Sequence, residues 1–135
     1  MEEIKVNIIG YVKQIDLIPE IFDYDVIKNL KSEIIIKDKF KEGLHGLKKN
    51  DLIDVLYFMH NQKEKKILFK PSCNNPEKIE KGVFATRSKS SISAIGVTKV
   101  KILEINDNSL IVKGLDAFNN SPIIDIKRNA PEYHP

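Results

Sequence analysis

The chain has 135 residues, of which 41% are hydrophobic and 30% charged, a balance that suits a folded domain with a real core and excludes intrinsic disorder. Its formal net charge is +3, which admits an anionic partner without the strong basic bias of a dedicated nucleic-acid binder. Cys73 is the only cysteine, so no internal disulfide can form, and His45, His60 and His134 lack paired spacing, so no metal site is expected.

In chain order, "MEEIKV" puts acidic residues where a secretion signal needs basic ones, and no apolar run reaches the ~20 residues that span a bilayer. The expected location is the cytoplasm, away from membranes. "IKVNIIGYV" (Ile4–Val12) alternates β-branched apolar residues and predicts a strand. "DYDVIKNLK" (Asp23–Lys31) spaces Val26, Ile27 and Leu30 as a short helix would, with Asp23 or Asp25 as its cap. "SEIIIKD" (Ser32–Asp38) predicts a strand, and "FKEGLHGLKKND" (Phe40–Asp51) a turn tucked onto the core by Leu44 and Leu47.

"LIDVLYFMH" (Leu52–His60) is the most apolar run and predicts a strand buried on both faces. Strands follow at Lys65–Pro71, Gly82–Thr86 and Ile95–Ile105, with loop chemistry over Ser72–Gly82. "NDNS" (Asn106–Ser109) is a hairpin turn into Leu110–Ala117, and "NNSP" (Asn119–Pro122) a second turn before a last strand, Ile123–Lys127. The tail "NAPEYHP" is expected to be irregular. About eight strands and one short helical segment predict an all-β, single-domain fold over residues 1–135, a barrel or sandwich. The parallel alternation and Gly-rich loop of a dinucleotide fold are absent.

Of 22 basic residues, 20 are Lys, leaving Arg87 and Arg128. Where Lys serves for plain charge, a retained Arg points to two-point gripping of a carboxylate or phosphate. Arg87 opens the polar stretch Arg87–Ser93, which interrupts an otherwise apolar pair of segments.

"GVFATRS" (Gly82–Ser88), with "IGVTKVKILEI", "VKGLDA" and "PIIDIK", resembles the TsaA-like (YaeB, TrmO) family. "GYV", "EGLHGL" and "VLYFMH" match in the same order, so the resemblance covers nearly the whole chain. It implies a mainly antiparallel β-barrel, usually dimeric. It also implies an S-adenosylmethionine-dependent methyltransferase acting on N6 of threonylcarbamoyladenosine in tRNA, beside the anticodon. The family pattern GVFATRS-x-x-RPNPIG departs here: Ser91 stands for Arg, Ile92 for Pro, Ser93 for Asn and Ala94 for Pro. The usual DGTP turn reads Asn119–Pro122, the family's early Pro-Arg-Gln segment has no counterpart, and Arg128 follows "DIK" where the family has Pro. Without its prolines, the Lys89–Ala94 loop is expected to be more mobile than its neighbours.

The resemblance implies a cofactor pocket. Arg87 would clamp the cofactor carboxylate; Ile95, Gly96 and Val97 would give backbone groups and an apolar wall; Leu115, Asp116 and the turn to Asn119 would cover another side; His60 would face the same space. In-line methyl transfer asks the protein mainly to align methyl and acceptor. Asp116, Asp125 and His60 are the candidates for removing the acceptor's proton, with no choice among them. Each residue has an ordinary alternative: a surface ion pair for Arg87, a strand-end hydrogen bond for His60, a turn cap for Asp116, a bulge for Gly96. Lys63, Lys65 and Lys66 read as a solvated hairpin tip or an RNA contact. Three functions follow: methyl transfer to tRNA, methyl transfer to a smaller acceptor, or S-adenosylmethionine binding without transfer.

Overall fold

The computed structural model of the chain describes residues 2–16, 23–61, 65, 67–69, 80–87 and 91–132. Its strands, in chain order, are β1 (Gly10–Gln14), β2 (Lys31–Ile36), β3 (Leu52–Phe58), β4 (Leu68–Phe69), β5 (Lys81–Gly82), β6 (Ile95–Ile105), β7 (Ser109–Lys113) and β8 (Pro122–Arg128). Six of them close into a barrel in the order β1-β2-β7-β6-β3-β8, every pair antiparallel. The chain's two ends make the closure, with Gly10 opposite Ile123 and Tyr11 opposite Pro122. Closure removes the two exposed sheet edges that an open sheet would present. β4 and β5 pair separately. The expected mainly antiparallel barrel is what forms.

Each barrel strand sends at least one β-branched residue to the centre. Val12, Ile34, Ile53, Ile102, Val112 and Ile123 come one from each of the six strands and are all essentially inaccessible. Period-two alternation does this, since successive side chains of a strand point to opposite faces. β3 shows it plainly: Ile53, Val55 and Tyr57 point inward, while Leu52 and Phe58 are exposed and Asp54 is half-buried. The run therefore has one buried face, not the two expected. Asp54 sits on the outer face, as a charged residue must when the inner one is dry.

Other boundaries shift for local reasons. β1 begins only at Gly10, and Ile4 and Val6 lie exposed, with no strand beside them among the described residues. Of Lys65–Pro71, Leu68–Phe69 is the strand among the described residues. Gly82–Thr86 does not continue as a strand: it turns into a 3-10 helix over Val83–Ala85, closed by the Thr86 hydroxyl donating to the Val83 carbonyl at 2.8 Å. The helical segment is a single short α-helix, α1 (Tyr24–Ile27), capped by Asp23, whose carboxylate accepts from the Asp25 N–H at 2.9 Å. The turn after β2 is a 3-10 helix over Asp38–Leu44, and Leu44 and Leu47 pack on the core as expected.

Residues 114–121 form a strap over one barrel mouth. It leaves β7 through Gly114, whose φ of 96° favours glycine, and whose N–H donates to the Leu30 carbonyl at 2.9 Å. Leu115 and Ala117 plug the mouth, both buried. Gln14 fastens the far end: its side-chain amide donates to the Ala117 carbonyl, and its backbone N–H to Asn119 Oδ1 at 2.9 Å.

Candidate functional site

β6 runs for 11 residues and β7 for 5. Their pairing starts only at Lys101, opposite Lys113. The first half of β6 therefore has β3 on one side and, among the described residues, no strand on the other. Ala94 and Ile102 direct their backbone groups to β3: Met59 N–H donates to the Ala94 carbonyl at 2.8 Å, and Ile102 N–H to the Asp51 carbonyl at 2.9 Å. By alternation along the strand, Ile95, Val97 and Lys99 direct theirs to the open side. An open cavity of about 1120 Å³ lies there, walled by β6, α1 and its following turn, the Val83–Arg87 segment, Ser91 and the start of the strap.

Tyr57 organises the wall. On β3 it stands directly opposite Gly96 of β6, and its ring lies across that glycine. A Cβ at Gly96 would fall 2.4 Å from Tyr57 Cζ, so glycine is required by the ring above it. The Tyr57 hydroxyl donates to the Asp116 carbonyl at 2.5 Å and lies 3.2 Å from Thr98 Oγ1. It thus ties the strap to β3 and β6. Burial pushes the Tyr57 hydroxyl above its ordinary range, with the Asp116 charge acting in the same direction; the Thr98 hydrogen bond and the Arg87 charge pull the other way. Arg87 and Asp116 are therefore both close enough to act on one buried group.

Arg87 reaches the open edge of β6, where Nη2 donates to the Val97 carbonyl at 2.7 Å. That bond holds a fork of five N–H donors at the cavity wall. Ser91 also lines the cavity, and its buried hydroxyl has no hydrogen-bond partner among the described residues. Ser91 to Ala94 forms a turn closed by the Ala94 N–H donating to the Ser91 carbonyl at 3.2 Å. Ala94 sits at φ 52°, where a proline ring, fixed near −65°, cannot go. At Ala94 the family's second proline is thus replaced by a different backbone, not only by a different side chain. Of the Lys89–Ala94 loop expected to be mobile, Lys89 and Ser90 lie outside the described residues.

Five of the eight expected site residues line this cavity: Arg87, Ile95, Gly96, Val97 and Asp116. Leu115 is fully buried in the barrel mouth, and Asn119 is bound to Gln14. His60 is exposed beyond β3, with Nδ1 3.4 Å from Ser121 Oγ. Of the three candidates for proton removal, only Asp116 faces the cavity. Asp125 lines a separate cleft of about 550 Å³ with Arg128, which pairs with Glu132 at 2.8 Å. Lys63 and Lys66 lie outside the described residues. Sequence reasoning missed Tyr57, Thr98, Met59 and the cavity-lining lysines Lys28, Lys99, Lys101 and Lys113. The available signal for Tyr57 was a hydroxyl on the same alternating face of the run as Ile53 and Val55.

Among the described residues no three His, Cys, Asp or Glu side chains gather as a metal site. None of their helices is long and apolar enough to cross a membrane.

Comparison with known proteins agrees with this architecture. An Archaeoglobus fulgidus protein named "S-adenosyl-L-methionine-binding protein" is 44% identical over 101 residues, covering 75% of this chain and 70% of its own length. A human protein named "tRNA (adenine(37)-N6)-methyltransferase" is 27% identical over 93 residues, covering 69% of this chain and 21% of its own. The crystal structure of TrmO from Pseudomonas aeruginosa superposes with a TM-score of 0.74 at 22% identity; the match covers 98% of this chain and 58% of that one, and shows a shared fold. The profile of the tRNA-methyltransferase O N-terminal domain matches residues 11–134, and the chain belongs to that family.

Proposed function

We propose that the chain binds S-adenosylmethionine in the cavity beside β6 and transfers its methyl group to tRNA, at N6 of threonylcarbamoyladenosine next to the anticodon. The observation that carries this reading is Arg87, held against the open edge of β6 on the same cavity as Asp116. The residues present suit the cofactor's chemistry. The Arg87 fork matches a carboxylate, and the Asp116 carboxylate matches an ammonium. Ile95, Val97 and Met59 offer apolar cover to a planar base. The buried Ser91 hydroxyl offers a hydrogen bond that no described protein group takes up.

When bound, S-adenosylmethionine supplies an electrophilic methyl group on a sulfonium. The chain's part is alignment and water exclusion, which can supply several kcal/mol of the barrier. Asp116 is also the group on this cavity able to accept a proton from the acceptor nitrogen, its strap held in place by Tyr57. The whole is read as one domain over residues 1–135, acting in the cytoplasm as a homodimer. The exposed outer-face residues Phe58, Ile95 and Val97, together with Phe84, support the dimer as apolar surface that gains from cover.

One observation favours a second reading, binding without transfer to tRNA. The Ser91–Ala94 turn lacks the family's Arg and Asn and follows a backbone that its second proline would not. The test is calorimetric titration with S-adenosylmethionine, followed by labelled methyl transfer to total tRNA from the source organism. Binding with transfer is expected. Binding without transfer would replace the main reading with the second, and absence of binding would defeat both. Arg87→Lys keeps the charge and loses the fork. It should weaken cofactor binding by about 1–3 kcal/mol while leaving the circular dichroism unchanged. Unchanged affinity would remove Arg87 from the site.

A further inference from the structure

Three lysines stand in register across three adjacent strands. Lys31 of β2 is directly opposite Lys113 of β7, and Lys113 is directly opposite Lys101 of β6. Lys99 lies two residues along β6 from Lys101, on the same face. Like charges directly opposite one another in a sheet are destabilising. None of these four side chains forms an ion pair among the described residues. Asp54, opposite Lys99 on β3, makes no salt bridge with it, and Glu33 beside Lys31 accepts from the Ser109 hydroxyl. Elsewhere the chain does pair its lysines, as in Lys28–Asp25, Lys41–Asp107 and Lys127–Asp125. The row is thus a local concentration of lysines that form no ion pair among the described residues, with like charges directly opposite at a cost in stability. It opens onto the cavity beside β6, which Lys99, Lys101 and Lys113 help to line.

We propose that the row formed by Lys31, Lys113, Lys101 and Lys99 is the surface on which the phosphate backbone of RNA lies while a base enters the neighbouring cavity. Three strands set about 4.8 Å apart spread the row over roughly 10 Å. That shape suits an extended polyanion better than one small anion, which needs donors converging on a point. Lysine is a point charge on a flexible stem, suited to positioning a backbone without reading sequence. Base discrimination is left to the cavity. This inference rests on the tRNA reading above, and its test separates the two.

The experiment measures tRNA affinity over a series of salt concentrations for three proteins, with S-adenosylmethionine titrated into each. The row variant is Lys101→Gln with Lys113→Gln. The control is Lys13→Gln with Lys127→Gln, which removes the same charge from β1 and β8 across the barrel. Every phosphate deprived of its lysine should flatten the log–log salt dependence by about 0.7, so the row variant should lose about 1.4 in slope and roughly tenfold or more in affinity at 0.1 M salt. The control should lose much less. The row variant should melt no lower than wild type, because a like-charge repulsion has been relieved. Equal slopes for row variant and control would overturn the surface while leaving methyl transfer to tRNA standing. Wild type that binds S-adenosylmethionine but not tRNA would overturn the surface and the tRNA reading together, as would row-dependent binding to anionic vesicles without binding to tRNA.

Discussion

At the scale of single residues, the site turns on Tyr57 and Gly96, which meet across β3 and β6. Gly96→Ala would press a methyl group into the Tyr57 ring. Urea unfolding should show a loss of about 1–3 kcal/mol, the range for overpacking a filled site. Tyr57→Phe keeps the ring but releases the Asp116 carbonyl. The expected loss is again about 1–3 kcal/mol, because a half-buried acceptor loses its donor. The pH dependence separates the two variants. Burial raises the Tyr57 hydroxyl in the folded state, so the unfolded chain loses this proton first, from about pH 10. Stability from this group is complete below pH 10 and falls as pH rises through the folded value. Stability measured from pH 9 upward should therefore decline more steeply in wild type than in Tyr57→Phe. Parallel curves would show that the hydroxyl is not buried as described.

At the scale of elements, the unequal lengths of β6 and β7 make the cavity, and the Ser91–Ala94 turn borders it. Ala94 at φ 52° with a bonded N–H is the sharpest local departure from the family pattern. Ala94→Pro should destabilise the protein by more than about 1 kcal/mol, since proline fits neither that φ nor the hydrogen bond. Ala94→Gly, which accepts the conformation freely, should lose nothing. Thermal melts of the pair decide the matter: a stable proline variant would mean that the turn can adopt the family's backbone after all. The strap is the second element that matters. Leu115 and Ala117 plug the mouth so that Asp116, between them, is left facing the cavity.

At the scale of the whole molecule, the barrel closed by β1 against β8 keeps a group of exposed apolar residues on the outer face of β3 and β6. Leu52, Phe58, Ile95 and Val97 are each more than 40% exposed there. A second copy covering this face would also stand beside the β6 cavity. Sedimentation velocity should give a dimer at micromolar concentration, and Phe58→Asp should shift it toward monomer without changing the far-ultraviolet circular dichroism. Monomer alone at high concentration would set the dimer aside. The row of lysines lies around the barrel from this face, on β2, β7 and β6.

An all-β fold, barrel or sandwich, was legible in the chain, because β-branched residues recur with period two in segments separated by turn residues; the family resemblance narrowed the two to a barrel. Arg87 stood out through the scarcity of arginine and the "GVFATRS" run, and five of the eight residues expected at the site line one cavity in the folded chain. The sequence misjudged β3, because an apolar run does not disclose whether its second face will meet another layer. It also could not show that Tyr57 covers Gly96, that Lys31, Lys113 and Lys101 share one row, or that His60 and Asp125 face elsewhere. Those facts depend on strand register, which is fixed by pairings between residues far apart in the chain. Which half of β6 keeps an open edge is set by the closed barrel, since that edge lies where β7 runs out and the strap takes its place.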